Sequence, residues 1–62
     1  MKITEVLLGH FQDSIRVVYY FEKCGRGYGR GVVEFSNRTL IDILMWIEQT
    51  LGFEKERVTT VF

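Results

Sequence analysis

Ile15-Arg16-Val17-Val18-Tyr19-Tyr20-Phe21 and Val32-Val33-Glu34-Phe35 flank Cys24-Gly25-Arg26-Gly27-Tyr28-Gly29-Arg30-Gly31. β-Branched and aromatic residues on both sides of a glycine-rich break read as a hairpin, and that hairpin decides the fold. Its strands are expected from about Ser14 to Lys23 and from about Tyr28 to Phe35. Alternation places Ile15, Val17, Tyr19 and Phe21 on one face of the first of these, with Arg16, Val18, Tyr20 and Glu22 on the other. On the second, Val33 and Phe35 share a face with Gly29 and Gly31, while Tyr28, Arg30, Val32 and Glu34 point the opposite way.

A one-residue slip inverts a face, so only an odd number of loop residues brings the two apolar sets to the same side. The expectation is a three- or five-residue loop centred on Arg26. Three residues pair Glu22 with Arg30, and five pair Arg16 with Glu34, both favourable cross-strand charge pairs. Gly29 and Gly31 then lie under the helix. Their missing side chains leave room for Tyr19, Phe21 or a helix residue against bare backbone.

Before the hairpin, Lys2 to Leu8 reads as a strand ended by Gly9 and the polar Gln12-Asp13. After it the period changes. From Arg38 to Leu51 the apolar residues Leu40, Ile43, Leu44, Ile47 and Leu51 recur at spacings of three and four, which predicts an amphipathic helix. Ser36 or Asn37 is placed to cap its start, and Gly52 to end it in a left-handed turn. The β-prone Arg57-Val58-Thr59-Thr60-Val61-Phe62 gives a last strand with Val61-Phe62 packed. The fold class is therefore α+β: a two-layer β-β-β-α-β domain, with an antiparallel meander sheet, one helix packed on one face and a C-terminal strand. A β-α-β crossover lets that last strand lie beside the first and run parallel to it.

Sixty-two residues with 47% hydrophobic content make one folded domain, residues 1–62, with no repeat, linker or proline. A domain of this size buries only about 60% of the surface its unfolded chain exposes, so it is marginal alone. One cysteine forms no internal disulfide, and one histidine with one cysteine is too few for a protein-only zinc site. Association with a second copy is the remaining support, and a homodimer is expected. No metal or cofactor is.

The formal net charge is zero, so no global field draws the chain to nucleic acid or an anionic membrane. The distribution is mildly polar: residues 1–31 carry five cations and three anions, residues 32–62 three cations and five anions. No apolar run approaches the roughly 20 residues that span a bilayer. The beginning of the sequence lacks the pattern of a signal peptide. With a lone thiol, the chain reads as cytoplasmic.

Motifs for chemistry are sparse. The glycines at 25, 27, 29 and 31 alternate strictly, which fits neither a dinucleotide fingerprint nor a P-loop, and a strand follows them rather than a helix. His10 and Cys24 fall at opposite ends of the second strand, about 33 Å apart at strand rise, too far for a nucleophile–base pair. Lys23 and Arg26 beside Cys24 could make it reactive, but a turn thiol is the simpler reading. No two residues are placed to share a proton-transfer step, so the chain reads as non-enzymatic.

Two surfaces remain. Ile41 and Met45 fall outside the core-facing arc of the helix on one flank and Trp46 on the other. Tryptophan and methionine are enriched at binding cores. These three residues, or the open sheet face, are the expected contacts of a protein-binding module of adaptor or inhibitor type, its partner another protein or a second copy. The alternative is single-stranded nucleic acid. Arg16, Tyr20, Tyr28 and Arg30 share the sheet face away from the helix, with Lys23 and Arg26 at the hairpin tip, and such interleaving of rings and cations suits stacked bases and phosphates.

Overall fold

In the computed structural model, which describes residues 2–61, three antiparallel strands, β1 (Lys2–Phe11), β2 (Ser14–Glu22) and β3 (Tyr28–Ser36), form a meander. The chain then enters α1 (Leu40–Trp46), widens into a π-type turn at Ile47–Leu51, makes a 3-10 turn at Lys55–Arg57 and ends its described part beyond β4 (Thr59–Thr60). Strand order is β3-β2-β1-β4. Because β4 runs parallel to β1, the four-stranded sheet is mixed rather than purely antiparallel. The short β4 leaves most of the expected last strand irregular, and Phe62 lies outside the described residues.

Five residues, Lys23 to Gly27, close the β2–β3 hairpin, so Arg16 stands opposite Glu34 and Val17 opposite Val33. The loop is centred on Gly25 rather than Arg26, and Glu22 faces Tyr28, not Arg30. Cys24, Gly25 and Gly27 all take positive φ, of 38°, 81° and 103°. Such angles suit glycine far better than other residues, which explains the glycines flanking Arg26.

The space left by Gly29 and Gly31 is filled as the alternation implies. A Cβ on Gly29 would come within 2.5 Å of the Phe21 ring, and one on Gly31 would collide with the Tyr19 ring. The two rings lie side by side over the bare strand, centroids 6.1 Å apart.

Strand β1 continues three residues past Leu8, so Gly9 does not end it. Gly9 pairs with Arg16, and a Cβ there would stand 3.4 Å from a Val61 methyl. The glycine lets the segment after β4 cross closely, where the Val61 N–H donates to the Leu8 carbonyl at 2.8 Å. Near the other end of β1 the register shifts between Ile3 and Glu5. Thr4 is the extra residue, and its hydroxyl donates to the Tyr20 carbonyl at 3.3 Å. The bulge lets Ile3 face the core together with Val6 and Leu8 despite the odd spacing.

The helix begins at Leu40, the first residue of the apolar period and two residues after the expected Arg38. Thr39, not Ser36 or Asn37, is its cap: its backbone is extended and its hydroxyl accepts the Asp42 N–H at 3.2 Å. Asn37 instead takes φ 58° and turns the chain out of β3. Gly52, at φ 65°, ends the helical segment in the left-handed conformation expected of it. Ile43 and Ile47 press onto Val6, Leu8 and Val17, with Phe53 closing the core from the following loop. The helix covers one face of the sheet and leaves the other open.

Candidate interaction surface

The open face is built by the even residues of β2 and β3 and the odd residues of β1 from Glu5 onward. Leu7, Val18 and Val32 are cross-strand partners and form an apolar row across three strands. Val32 is 48% exposed, and Phe11, Tyr28 and Val61, elsewhere on the same face, are 51%, 79% and 61% exposed. Val61 reaches it through the gap above Gly9.

Arg16 sits within this face. Its guanidinium donates from Nε at 3.2 Å and from Nη2 at 2.8 Å to Oε1 of Glu34, and stands 4.6 Å over the Phe11 ring. Both donors use one carboxylate oxygen. Oε2 of Glu34 accepts no hydrogen bond among the described residues. Arg30 faces Tyr20 two pairs further along the same face, beyond Val18–Val32, and enters no ion pair among the described residues.

The six residues proposed for nucleic acid are therefore divided. Arg16, Tyr20, Tyr28 and Arg30 share the open face, as their alternation implies. Arg16 is already matched to a carboxylate and a ring. Lys23 places its ammonium 5.9 Å from the ring of Phe21, a residue of the opposite face. Arg26 lies in the exposed loop, its N–H donating to the Lys23 carbonyl at 2.6 Å.

The three helix residues divide as well. Ile41 and Met45, one turn apart, are 71% and 49% exposed. Trp46 packs edge-on against Phe35 with centroids 5.1 Å apart and planes at 70°, so it seals the helix onto the β3 side of the sheet.

His10 pairs with Ile15 at one end of β2 and Cys24 lies in the loop beyond the other end, so the strand holds them apart. A cleft of about 390 Å³ lies between the start of β1 and the turn after the helix, lined by Lys2, Ile3, Leu51, Phe53 and Arg57 among others. Arg57 is stacked 4.8 Å over the Phe53 ring there. Among the described residues no group of three or more His, Cys, Asp or Glu is arranged to hold a metal ion. None of their helices is long and apolar enough to cross a membrane.

Residues missing from the sequence reading are those placed by the bulge and by β4: Leu7, Phe11 and Val61. A strand extended through Gly9 would have put Phe11 on the face of Leu7. No family model, curated protein or solved structure matches this chain.

Proposed function

We propose that the chain is a small non-enzymatic protein-binding module, adaptor- or inhibitor-like, that works in the cytoplasm as a homodimer. The observation that carries this reading is the uncovered sheet face with its row Leu7, Val18 and Val32, flanked by exposed Phe11, Tyr28 and Val61. Contiguous exposed apolar surface on a small domain marks a contact site. Part of the charge on this face is already matched within the chain, which suits a protein partner: Arg16 and Glu34 neutralise one another. Self-association is supported by the small core, whose buried members are Val6, Leu8, Val17, Ile43, Ile47 and Phe53 among the described residues. The lone exposed thiol of Cys24 suits a reducing compartment.

Sedimentation equilibrium tests the reading. The expected mass is twice the 7.3 kDa of one chain, and a single-chain mass at every concentration would remove the homodimer. Single-stranded nucleic acid is the second reading, favoured by the Tyr20–Arg30 cross-strand pair beside exposed Tyr28. It is weaker because Arg16 is engaged and Lys23 lies against the opposite face. A labelled oligonucleotide titrated at low and high salt separates the two. We expect no anisotropy change, whereas binding that weakens steeply with salt would favour nucleic acid.

A further inference from the structure

Strand β3 is an edge strand of nine residues, bonded among the described residues to β2 alone. Its pairing with β2 shows no bulge, and it contains no proline. Soluble proteins ordinarily blunt such an edge with proline, bulges or short length. The opposite edge of this sheet is short, since β4 has two residues.

The direction of each backbone group on β3 follows from the hairpin. The Lys23 N–H donates to the Gly27 carbonyl at 2.9 Å, which makes these two a hydrogen-bonded pair in the antiparallel ladder. Such pairs alternate. Gly29, Gly31, Val33 and Phe35 therefore bond to β2, while Tyr28, Arg30, Val32, Glu34 and Ser36 direct their N–H and C=O groups outward. The neighbouring strand agrees, because the carbonyl of Tyr20, opposite Arg30, turns toward β1 and Thr4.

We propose that β3 pairs antiparallel with β3 of a second copy about a two-fold axis at Val32, joining two sheets into one of eight strands. The proposal rests on the homodimer reading above and deepens it by naming the contact. Charge selects the register. With Val32 opposite the second copy's Val32, Arg30 stands opposite its Glu34 and Glu34 opposite its Arg30, and all five outward residues find partners. A two-fold centred on Arg30 sets Arg30 against itself. One centred on Glu34 sets Glu34 against itself. Two-folds centred on Gly31 or Val33 leave an outward residue unpaired and set both charges opposite uncharged residues.

The existing contacts of Glu34 suit this arrangement. Arg16 uses Oε1 alone, leaving Oε2 for the second copy's Arg30. Each carboxylate then sits between two guanidiniums. On the helix side the same register sets Gly31 opposite the second copy's Val33 and Gly29 opposite its Phe35, so bare positions face full ones. The axis is perpendicular to the sheet, and the two open faces become one continuous surface on which a further protein can dock.

The test combines mass with cross-linking in the full chain carrying Cys24→Ser. Cα atoms of a hydrogen-bonded antiparallel pair lie about 5.5 Å apart, within disulfide range. Only a residue on the axis faces its own copy. Val32→Cys is expected to oxidise almost completely to a covalent dimer. Tyr28→Cys, about 26 Å from its own copy by strand rise, and Ile41→Cys, on the helix, are expected to stay single chains on a non-reducing gel. A two-chain mass without Val32→Cys cross-linking, or with cross-linking through Ile41→Cys instead, would overturn the edge pairing and leave the homodimer standing. A single-chain mass for the unmodified protein at every concentration would overturn both.

Discussion

The phenol ring of Tyr19 occupies the space where Gly31 would carry a side chain. One strand thus lends its aromatic cover to a neighbour that has none, and Phe21 does the same for Gly29. Gly31→Ala pushes against the outer end of the Tyr19 ring, Cζ and Oη, in a half-buried side chain that must shift to make room. We expect a destabilisation of about 1–3 kcal/mol in a urea titration, typical of overpacking. The same substitution in a Tyr19→Ala background should be much milder, because the colliding ring is gone. Equal penalties in both backgrounds would mean that the ring does not cover the glycine.

Trp46 and Met45 are neighbours in sequence with opposite roles. The indole stacks edge-on to Phe35, and its half-buried position makes Trp46→Ala a stability change of about 2–3 kcal/mol, below that of a fully buried tryptophan. Met45 is 49% exposed on the helix, and Met45→Glu should leave the thermal midpoint within a few degrees of the parent. A large drop for Met45→Glu would place that side chain in a contact that the isolated chain lacks.

Thr39 accepts the Asp42 N–H, the bond that starts the helix. Thr39→Ala should cost about 1 kcal/mol, and Thr39→Ser or Thr39→Asp should recover most of it. The corresponding substitutions Asn37→Ala and Ser36→Ala should not show this recovery pattern, because neither side chain caps the helix.

What could be read in the chain beforehand was the parity of the β2–β3 hairpin. Two apolar sets on two strands can share a face in only half of the registers, and the alternation of Val17, Tyr19, Val33 and Phe35 selects that half. The filled space over Gly29 and Gly31 follows from it, whereas parity alone left Arg16–Glu34 and Glu22–Arg30 equally open, and the five-residue loop selects the first. Other features depend on contacts distant in sequence. Gly9 looks like a strand end by local preference, yet it is needed where Val61 crosses. The bulge at Thr4 exists because Ile3 and Val6 must both face the core. The cap was legible in principle: Thr39 stands three residues before Asp42 at the head of an apolar run, a recognised start signal. The open face was seen only in part, since Leu7, Phe11 and Val61 join it through those same long-range contacts.

The paired charges on β3 allow a test by mixing. Arg30→Glu places a carboxylate opposite the second copy's Glu34, and Glu34→Lys places an ammonium opposite its Arg30, so each variant alone should sediment as a single chain. Mixed together, they form two opposite-sign pairs, and a two-chain species containing one of each should reappear. Like charges directly opposite in a sheet are unfavourable, which gives the cross its sign. Two-chain mass in each variant alone would show that these charges do not face one another.

The most direct measurement is amide hydrogen exchange along β3 of the unmodified chain, followed by NMR at high and low protein concentration. In an isolated copy the Arg30, Val32 and Glu34 N–H groups face solvent and those of Gly31 and Val33 are bonded to β2. We predict that at high concentration all five exchange slowly, and that protection of the even-numbered three falls on dilution. Persistent alternation, with Arg30, Val32 and Glu34 exchanging at unprotected rates at every concentration, would contradict the edge-paired dimer.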